Sequence, residues 1–68
     1  MEELKEIEAF AQSNKSWEDA AQIAVINAIT PSNSVKSILI KQFDAQVRNN
    51  KIVGYRINAK IFFETGEP

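Results

Sequence analysis

The strongest constraint on this chain is an unbroken alternation of residue types near its C-terminus. Every second position there is apolar, in the series Val53, Tyr55, Ile57, Ala59, Ile61 and Phe63. Successive side chains of a β-strand point to opposite faces of a sheet. The period of two therefore predicts a long strand with one face on the hydrophobic core.

A second arm precedes this strand, and residues 35–48 and 51–64 together read as a long β-hairpin. The intervening Asn49-Asn50 pair suits a two-residue turn, because asparagine tolerates the positive φ that such turns require. This turn pairs Arg48 with Lys51 and sets the register of every other pair in the hairpin.

Continued away from the turn, the register assigns each residue to one of two sheet faces. The face under a helix receives Ile38 with Ile61, Ile40 with Ala59, Gln42 with Ile57, Asp44 with Tyr55, and Gln46 with Val53. The opposite face receives Ser37 with Phe62, Leu39 with Lys60, Lys41 with Asn58, Phe43 with Arg56, and Val47 with Ile52. A β-bulge would shift these pairs locally. The second face is too apolar for a solvated surface, and exposed patches of this kind usually mark an interface or a ligand groove.

Residues 17–29 read as a helix. Ser16 is a good N-cap, and Asp19 occupies the position of a capping-box acid. Pro31 marks the end, because proline disfavours helical geometry at the residue before it. The helix is apolar on three sides: Trp17, Ala20, Ala21, Ala24 and Ala28; Ile23 and Ile26; Val25 and Ile29. One three-stranded sheet cannot cover all of them, so a neighbouring subunit is the expected cover.

The N-terminal segment fits two kinds of structure. Leu4, Ile7 and Ala11 follow helical spacing among good helix formers. Ile7 and Ala9, alternating with glutamates, equally fit a short strand. Local propensity favours the helix, whereas topology favours the strand, because a two-stranded sheet is a poor platform for a helix.

A chain of 68 residues allows one domain, 1–68. The elements predict the α+β class, in β-α-β-β order, with a three-stranded antiparallel sheet wrapping one helix. So small a domain is marginal alone. Without cysteine it has no disulfides, and without histidine as well we expect no zinc or other metal site. Oligomerisation is the remaining common reinforcement.

Charge and motif content narrow the functional classes. A net charge of -1 argues against nucleic-acid binding. No segment has the length and apolar character of a signal peptide or a membrane span, so we expect a cytoplasmic protein without a membrane partner. No catalytic residues are predicted and the chain is not expected to be an enzyme, because it has no histidine, cysteine, phosphate loop or nucleophile elbow.

The order of strand, helix and long hairpin resembles the dodecin family. Ser16-Trp17-Glu18-Asp19-Ala20 looks like the start of the dodecin helix. Asn50-Lys51-Ile52-Val53 with Tyr55, and then Ile57-Asn58-Ala59-Lys60-Ile61 with Phe63, look like the family's hairpin return. The resemblance covers residues 16–64 and rests on pattern and spacing. The segment Ala11-Gln12-Ser13 departs from the usual Gly-Thr-Ser exit of the first strand.

The resemblance implies a hollow dodecamer that binds flavins, such as FMN or riboflavin, between aromatic side chains of symmetry-related subunits. The family's flavin-stacking Trp on the second strand corresponds here to Ser37, and its ring-binding Gln on the third strand corresponds to Arg56. The register places both on the face without the helix. The location of the site is therefore expected to persist while its chemistry changes.

The resulting functional hypothesis is a non-catalytic, homo-oligomeric protein that binds or stores a small ligand. Its candidate ligand-binding residues are Ser37, Phe43, Arg56 and Phe62, and its ligand is expected to be planar or anionic. Trp17 and Tyr55 are interpreted as packing residues. The alternative is a structural or protein-interaction module that uses the apolar sheet face.

Overall fold

The computed structural model describes residues 3–65, so both ends of the predicted 1–68 domain lie outside the described residues. Strand β1 (Glu3–Ser13) is followed by helix α1 (Trp17–Ala28) and by strands β2 (Asn33–Arg48) and β3 (Lys51–Thr65). The sheet is antiparallel in the order β1-β3-β2. The predicted α+β class and β-α-β-β order are confirmed. No helix among residues 3–65 is long and apolar enough to cross a bilayer.

The structure resolves the N-terminal segment as a strand. β1 pairs with β3 along its whole length, from Glu3 opposite Thr65 to Ser13 opposite Tyr55. The segment forms a strand despite its helical propensity, because a third strand completes the sheet on which α1 packs. The local preference of a segment is worth less than the hydrogen bonds and packing that the sheet supplies.

The hairpin turn forms at the predicted residues, with φ of 53° at Asn49 and 65° at Asn50. Two consecutive positive φ values are those of the turn type that matches the twist of a hairpin. The arms are long, and the structure extends 52 Å along its major axis. Its radius of gyration is 14.0 Å, against about 11 Å for a compact domain of this length.

The helix begins as predicted at Ser16, whose Oγ accepts a hydrogen bond from the Asp19 amide at 2.9 Å. The capping box itself is altered, because the Asp19 carboxylate accepts from the Ser13 hydroxyl at 2.6 Å. Ser13 Oγ in turn accepts from the Lys15 amide at 2.9 Å. These bonds fix the angle at which the chain leaves β1 and enters α1. The helix ends at Ala28, one residue before the predicted end.

The core lies between the alanine stripe of α1 and one face of β3. Its buried residues are Ala20, Ala24, Ile57, Ala59 and Ile61. The small alanines allow the helix to approach the sheet closely. The other apolar sides of α1 are covered only in part: Ile23 and Val25 are half-buried, Ile26 is 56% exposed, and Ile29, just after the helix, is 59% exposed.

The predicted register holds next to the turn and from Ser37 to Ile40, and it is wrong in the middle of the hairpin. It is also wrong at the open end, where a further shift pairs Val35 with Phe63. The confirmed pairs are Arg48 with Lys51, Val47 with Ile52, Ile40 with Ala59, Leu39 with Lys60, Ile38 with Ile61, and Ser37 with Phe62. The observed middle pairs are Gln42 with Asn58, Phe43 with Ile57, Asp44 with Arg56, Ala45 with Tyr55, and Gln46 with Gly54. Register shifts after Ile40 and after Gln46 bracket this stretch.

The displaced stretch exchanges the two faces of β2, because a shift of one residue moves each side chain to the opposite face. Phe43 therefore lies on the helix side, where its ring centroid is 5.9 Å from that of Trp17. Asp44 lies on the other side, beside Arg56. The predicted register would have placed the Asp44 carboxylate under the helix and Phe43 beside Arg56. The bulge puts the aromatic ring against Trp17 and the carboxylate beside the Arg56 guanidinium.

Candidate functional site

A groove of about 480 Å³ crosses the sheet on the face opposite α1. We call this face the helix-free face and the cavity the groove. Its lining residues are Phe10, Ala11, Gln12, Gln42, Asp44, Arg56, Ile57 and Asn58. The volume falls within the range of small-molecule sites.

All three strands contribute to the groove through their pairing. On β1, Phe10 lies opposite Asn58 and Gln12 lies opposite Arg56. On β2, Gln42 and Asp44 reach the same rows of β3 only because of the register shift at Lys41. The bulge therefore places both β2 residues of the groove, and bulges are common next to functional sites.

Arg56 and Asp44 form a bidentate ion pair on the groove wall. Arg56 Nε donates to Asp44 Oδ1 at 2.8 Å and Nη2 donates to Oδ2 at 2.9 Å. The hydrogen bonds from the guanidinium to Asp44, and then the opposite charge, raise the pKa of Arg56 above its ordinary value. Both side chains remain exposed, so the pair orients Arg56 more than it stabilises the fold.

Trp17 supports the same stretch of β2 from the helix side. Its indole Nε1 donates to the main-chain oxygen of Asp44 at 2.9 Å. The ring packs edge-on against Phe43 and, with centroids 4.9 Å apart, against Tyr55. Trp17 and Tyr55 are thus packing residues, as the sequence indicated. The indole bond holds the backbone of the residue whose side chain positions Arg56.

An amide bridge borders the groove toward the hairpin turn. Gln12 Nε2 donates to Gln46 Oε1 at 3.2 Å, across the middle strand. Gly54 lies beneath this bridge, and a Cβ there would approach both amide atoms at 3.2 Å. Glycine is the residue that leaves this bridge its space.

Two further amides in the groove are without partners among residues 3–65. Gln42 and Asn58 lie opposite each other in the register. No described residue hydrogen-bonds to either side chain, and Asn58 Oδ1 is shielded from solvent. A buried polar atom without a partner is uncommon in folded proteins.

The structure separates the four residues proposed from the sequence. Ser37 and Phe62 form one pair of the helix-free face, and Arg56 lies six residues along β3 from Phe62. At roughly 3.3 Å per residue this separation is about 20 Å. Ser37 and Arg56 share a face, as expected, but cannot contact one small ligand within one chain. Phe43 does not share that face, and the predicted pair with Arg56 is wrong for the register reason given above.

Seven groove residues were absent from the sequence-based list: Phe10, Ala11, Gln12, Gln42, Asp44, Ile57 and Asn58. The strand reading of the N-terminal segment contained a signal for two of them, because Phe10 and Gln12 alternate with Ala9 and Ala11. Asp44 carried no such signal. Its face depends on a bulge that local propensity does not locate.

Comparison with known proteins agrees with this architecture. A family model described as Dodecin matches residues 4–65. A solved structure, the dodecin from Streptomyces davaonensis, is similar with a TM-score of 0.84, covering 97% of each chain at 12% sequence identity. That identity supports the fold alone, and no curated protein sequence matches the chain. Since the family model spans nearly all the described residues, the chain belongs to the dodecin family.

Proposed function

We propose that the protein is a non-catalytic homo-oligomer, most simply a dodecamer, that binds or stores a small ligand through an altered flavin site. Family and fold suggest a small flavin-binding protein rather than an enzyme. We further propose one domain over residues 1–68 and a cytoplasmic location. The oligomer and the altered site each rest on an observation of their own.

Uncovered apolar surface carries the proposal of self-association. Among the described residues, ten large hydrophobic side chains are 41% to 71% exposed, whereas the buried core contains only two isoleucines and three alanines. So much apolar surface on a small chain is typical of an interface. The exposed residues lie on β1, α1 and both hairpin arms, so one flat contact does not cover them. A closed assembly with several contacts per subunit does.

The separation of Ser37 from Arg56 supports the same conclusion. A ligand that contacts the equivalents of both positions must bind between subunits, because they lie about 20 Å apart along the strand. The groove of one chain is then part of a larger site that a second copy completes. Phe62, half-buried beside Ser37, is proposed to lie at that junction.

The residues present fit a flavin ring only in part. Ser37 offers no stacking surface. Arg56 already donates hydrogen bonds to Asp44 through Nε and Nη2. Phe10, which borders the groove and is 71% exposed, supplies an aromatic face. The ring would therefore rest on Phe10 and hydrogen-bond to groove amides. We expect weaker flavin binding than in dodecins with the usual Trp, and a purified protein without colour.

A riboflavin titration followed by flavin fluorescence tests the altered site. The double variant Ser37→Trp/Arg56→Gln should bind roughly tenfold to a hundredfold more tightly, since one ring contact contributes about 1–3 kcal/mol. Phe10→Leu should weaken binding, whereas Phe63→Leu, on the helix side and outside the groove lining, serves as the matched control. No gain in the double variant would count against the correspondence of Ser37 and Arg56 with the family's site.

Light scattering at micromolar concentration tests the assembly. We expect one large closed oligomer, and we expect Phe62→Asp to dissociate it because a charge would enter an apolar contact. A folded monomer in the unmodified protein would overturn the proposal and favour the alternative of a protein-interaction module. An intact oligomer of Phe62→Asp would place Phe62 outside the interface.

A further inference from the structure

The end of the hairpin next to the turn carries an apolar patch that remains exposed. Its side chains are 41% to 60% exposed, and we call them the tip patch: Phe43, Val47, Ile52 and Val53. Phe43 lies beside Trp17, at the first turn of α1. Val53 also faces the helix side, because a Cβ on the neighbouring Gly54 would point the other way, toward the amide bridge. The patch therefore extends the helix side of the sheet past the start of α1.

The charges on this part of the hairpin are all positive. Residues 45–63 include two arginines and two lysines and no acidic residue. The two cations farther from the turn are paired with carboxylates, whereas Arg48 and Lys51 form no ion pair within residues 3–65. Arg48 and Lys51 lie directly opposite each other beside the turn, and like charges in such a cross-strand pair destabilise a hairpin. A negative group from another molecule would relieve this repulsion.

The end of α1 has the complementary character. Ile26 and Ile29, one turn apart and away from the alanine stripe, are both more than half exposed. Glu18 and Asp19 are the charged residues of this helix, and its last turn contains no basic residue. The free carbonyl groups at a helix C-terminus carry partial negative charge, which a nearby cation stabilises. This helix end lacks the cation that it favours, and the hairpin tip has two to offer.

One chain cannot bring these two surfaces together. Trp17 packs on Tyr55 at the start of α1, and the helix then runs toward the open end of the hairpin. The span from Tyr55 to Lys51 along β3 and the span from Trp17 to Ile29 along α1 add to about 30 Å, at roughly 3.3 and 1.5 Å per residue. Contact between the tip and the helix end therefore requires a second copy of the chain.

We propose that the tip patch of one copy packs on the last turn of α1 in a second copy, with Arg48 and Lys51 beside its C-terminal carbonyl groups. A second copy is the partner that satisfies both uncovered surfaces at once, since every chain carries both. Each subunit gives its tip to one neighbour and receives a tip from another, and such a head-to-tail contact closes when the rotation between neighbours permits. The inference rests on the proposed self-association and identifies surfaces that form it.

Cysteine crosslinking tests the contact directly, because the chain has no cysteine of its own. In the double variant Ile26→Cys/Val53→Cys, a short bismaleimide should join neighbouring chains, and denaturing electrophoresis should show a ladder of dimers, trimers and larger species. The matched control Leu39→Cys/Val53→Cys moves one thiol to the helix-free face, at a position of similar exposure to Ile26, and should give no ladder. Absence of a ladder in the first variant, or equal ladders in both, would overturn the proposed contact.

Charge reversal tests the two cations of the tip. We expect Arg48→Glu/Lys51→Glu to raise the concentration at which the oligomer dissociates by about tenfold, because two anions then approach the negative end of a helix. Arg48→Gln/Lys51→Gln should have an intermediate effect. Gln22→Lys, which places a cation one turn before Ile26, should recover part of the loss in the reversed variant. Unchanged dissociation of the reversed variant would contradict the placement of Arg48 and Lys51.

The outcomes separate this inference from the function on which it rests. A large oligomer by light scattering that gives no crosslinked ladder would keep the proposed self-association and reject the contact between tip and helix. A folded monomer of the unmodified protein would reject both and leave the tip patch to a different protein. If the cysteine variant does not fold, the charge variants decide the matter, because they change only exposed side chains.

Discussion

The two parts of the hairpin are held in different ways. Under α1, the pairs of Ile38 with Ile61 and Ile40 with Ala59 follow the register set by the turn, and Ala59 and Ile61 are fully buried. In the middle, residues 42–46 run one residue out of that register between two shifts. That stretch buries little, and Phe43 remains 59% exposed.

This difference shows what burial can and cannot specify. A buried face fixes its register strongly, because a slip of one residue would expose every core side chain. The middle stretch lacks that penalty. Its register depends on a few particular contacts: the Trp17 indole, the Arg56–Asp44 pair and the Gln12–Gln46 bridge. The part of the sheet that builds the groove is therefore the part that least depends on the core.

Replacing Ile61 by Ala should give the largest effect, because it removes the largest fully buried side chain. We expect the free energy of unfolding to fall by about 3 kcal/mol, the usual cost of such a cavity. Urea denaturation at fixed protein concentration measures it. Ile61→Val should cost only about 1 kcal/mol and keeps the test usable if the alanine variant does not fold. Equal losses in the two variants would show that the core does not pack on this residue.

Trp17→Phe should have an intermediate effect, because it keeps an aromatic ring and removes the indole N–H that donates to Asp44. The expected loss is about 1 kcal/mol of unfolding free energy. The substitution should also increase the local mobility of residues 42–46, since they lose a contact that holds their register. Amide hydrogen exchange should accelerate there and not at Ile38–Ile40. Uniform acceleration over both parts would contradict the division of the hairpin drawn above.

Gly54→Ala should have the smallest effect. The new Cβ would approach the flexible, exposed amide ends of Gln12 and Gln46 at 3.2 Å, and it would meet Gln46 Cβ at an ordinary contact distance of 3.5 Å. Loss of their bridge is offset by the reduced freedom of the unfolded chain, so we expect stability within about 0.5 kcal/mol of the original. NMR of the side-chain amides should show the bridge broken while the Arg56–Asp44 pair persists. A large loss of stability would mean that the backbone at residue 54 cannot accept a side chain.

Most of the fold could be predicted from local and periodic features. The alternation from Val53 to Phe63 predicted β3 and its buried face. The two asparagines predicted the turn, and Ser16 predicted the start of α1. Each of these signals acts over a few residues and needs no knowledge of distant parts of the chain. The expectation of a site on the helix-free face rested on the predicted register and on the family resemblance, and it stays a prediction.

The residues that line the groove could not be predicted from such local features. Local propensity favours a helix for the segment that becomes β1, so Phe10 and Gln12 reach the groove only because β3 offers an edge to pair with. Asp44 reaches it because a bulge at Lys41 lets Phe43 pack against Trp17.

The sequence by itself therefore determined the elements, the turn, the helix cap and the buried face of β3, because those follow from short-range sterics and the burial of one periodic face. Only the tertiary structure decided that the first segment is a strand and that residues 42–46 are inverted. Both choices depend on contacts between residues far apart in the chain, where hydrogen bonding and aromatic packing outweigh weak local preferences.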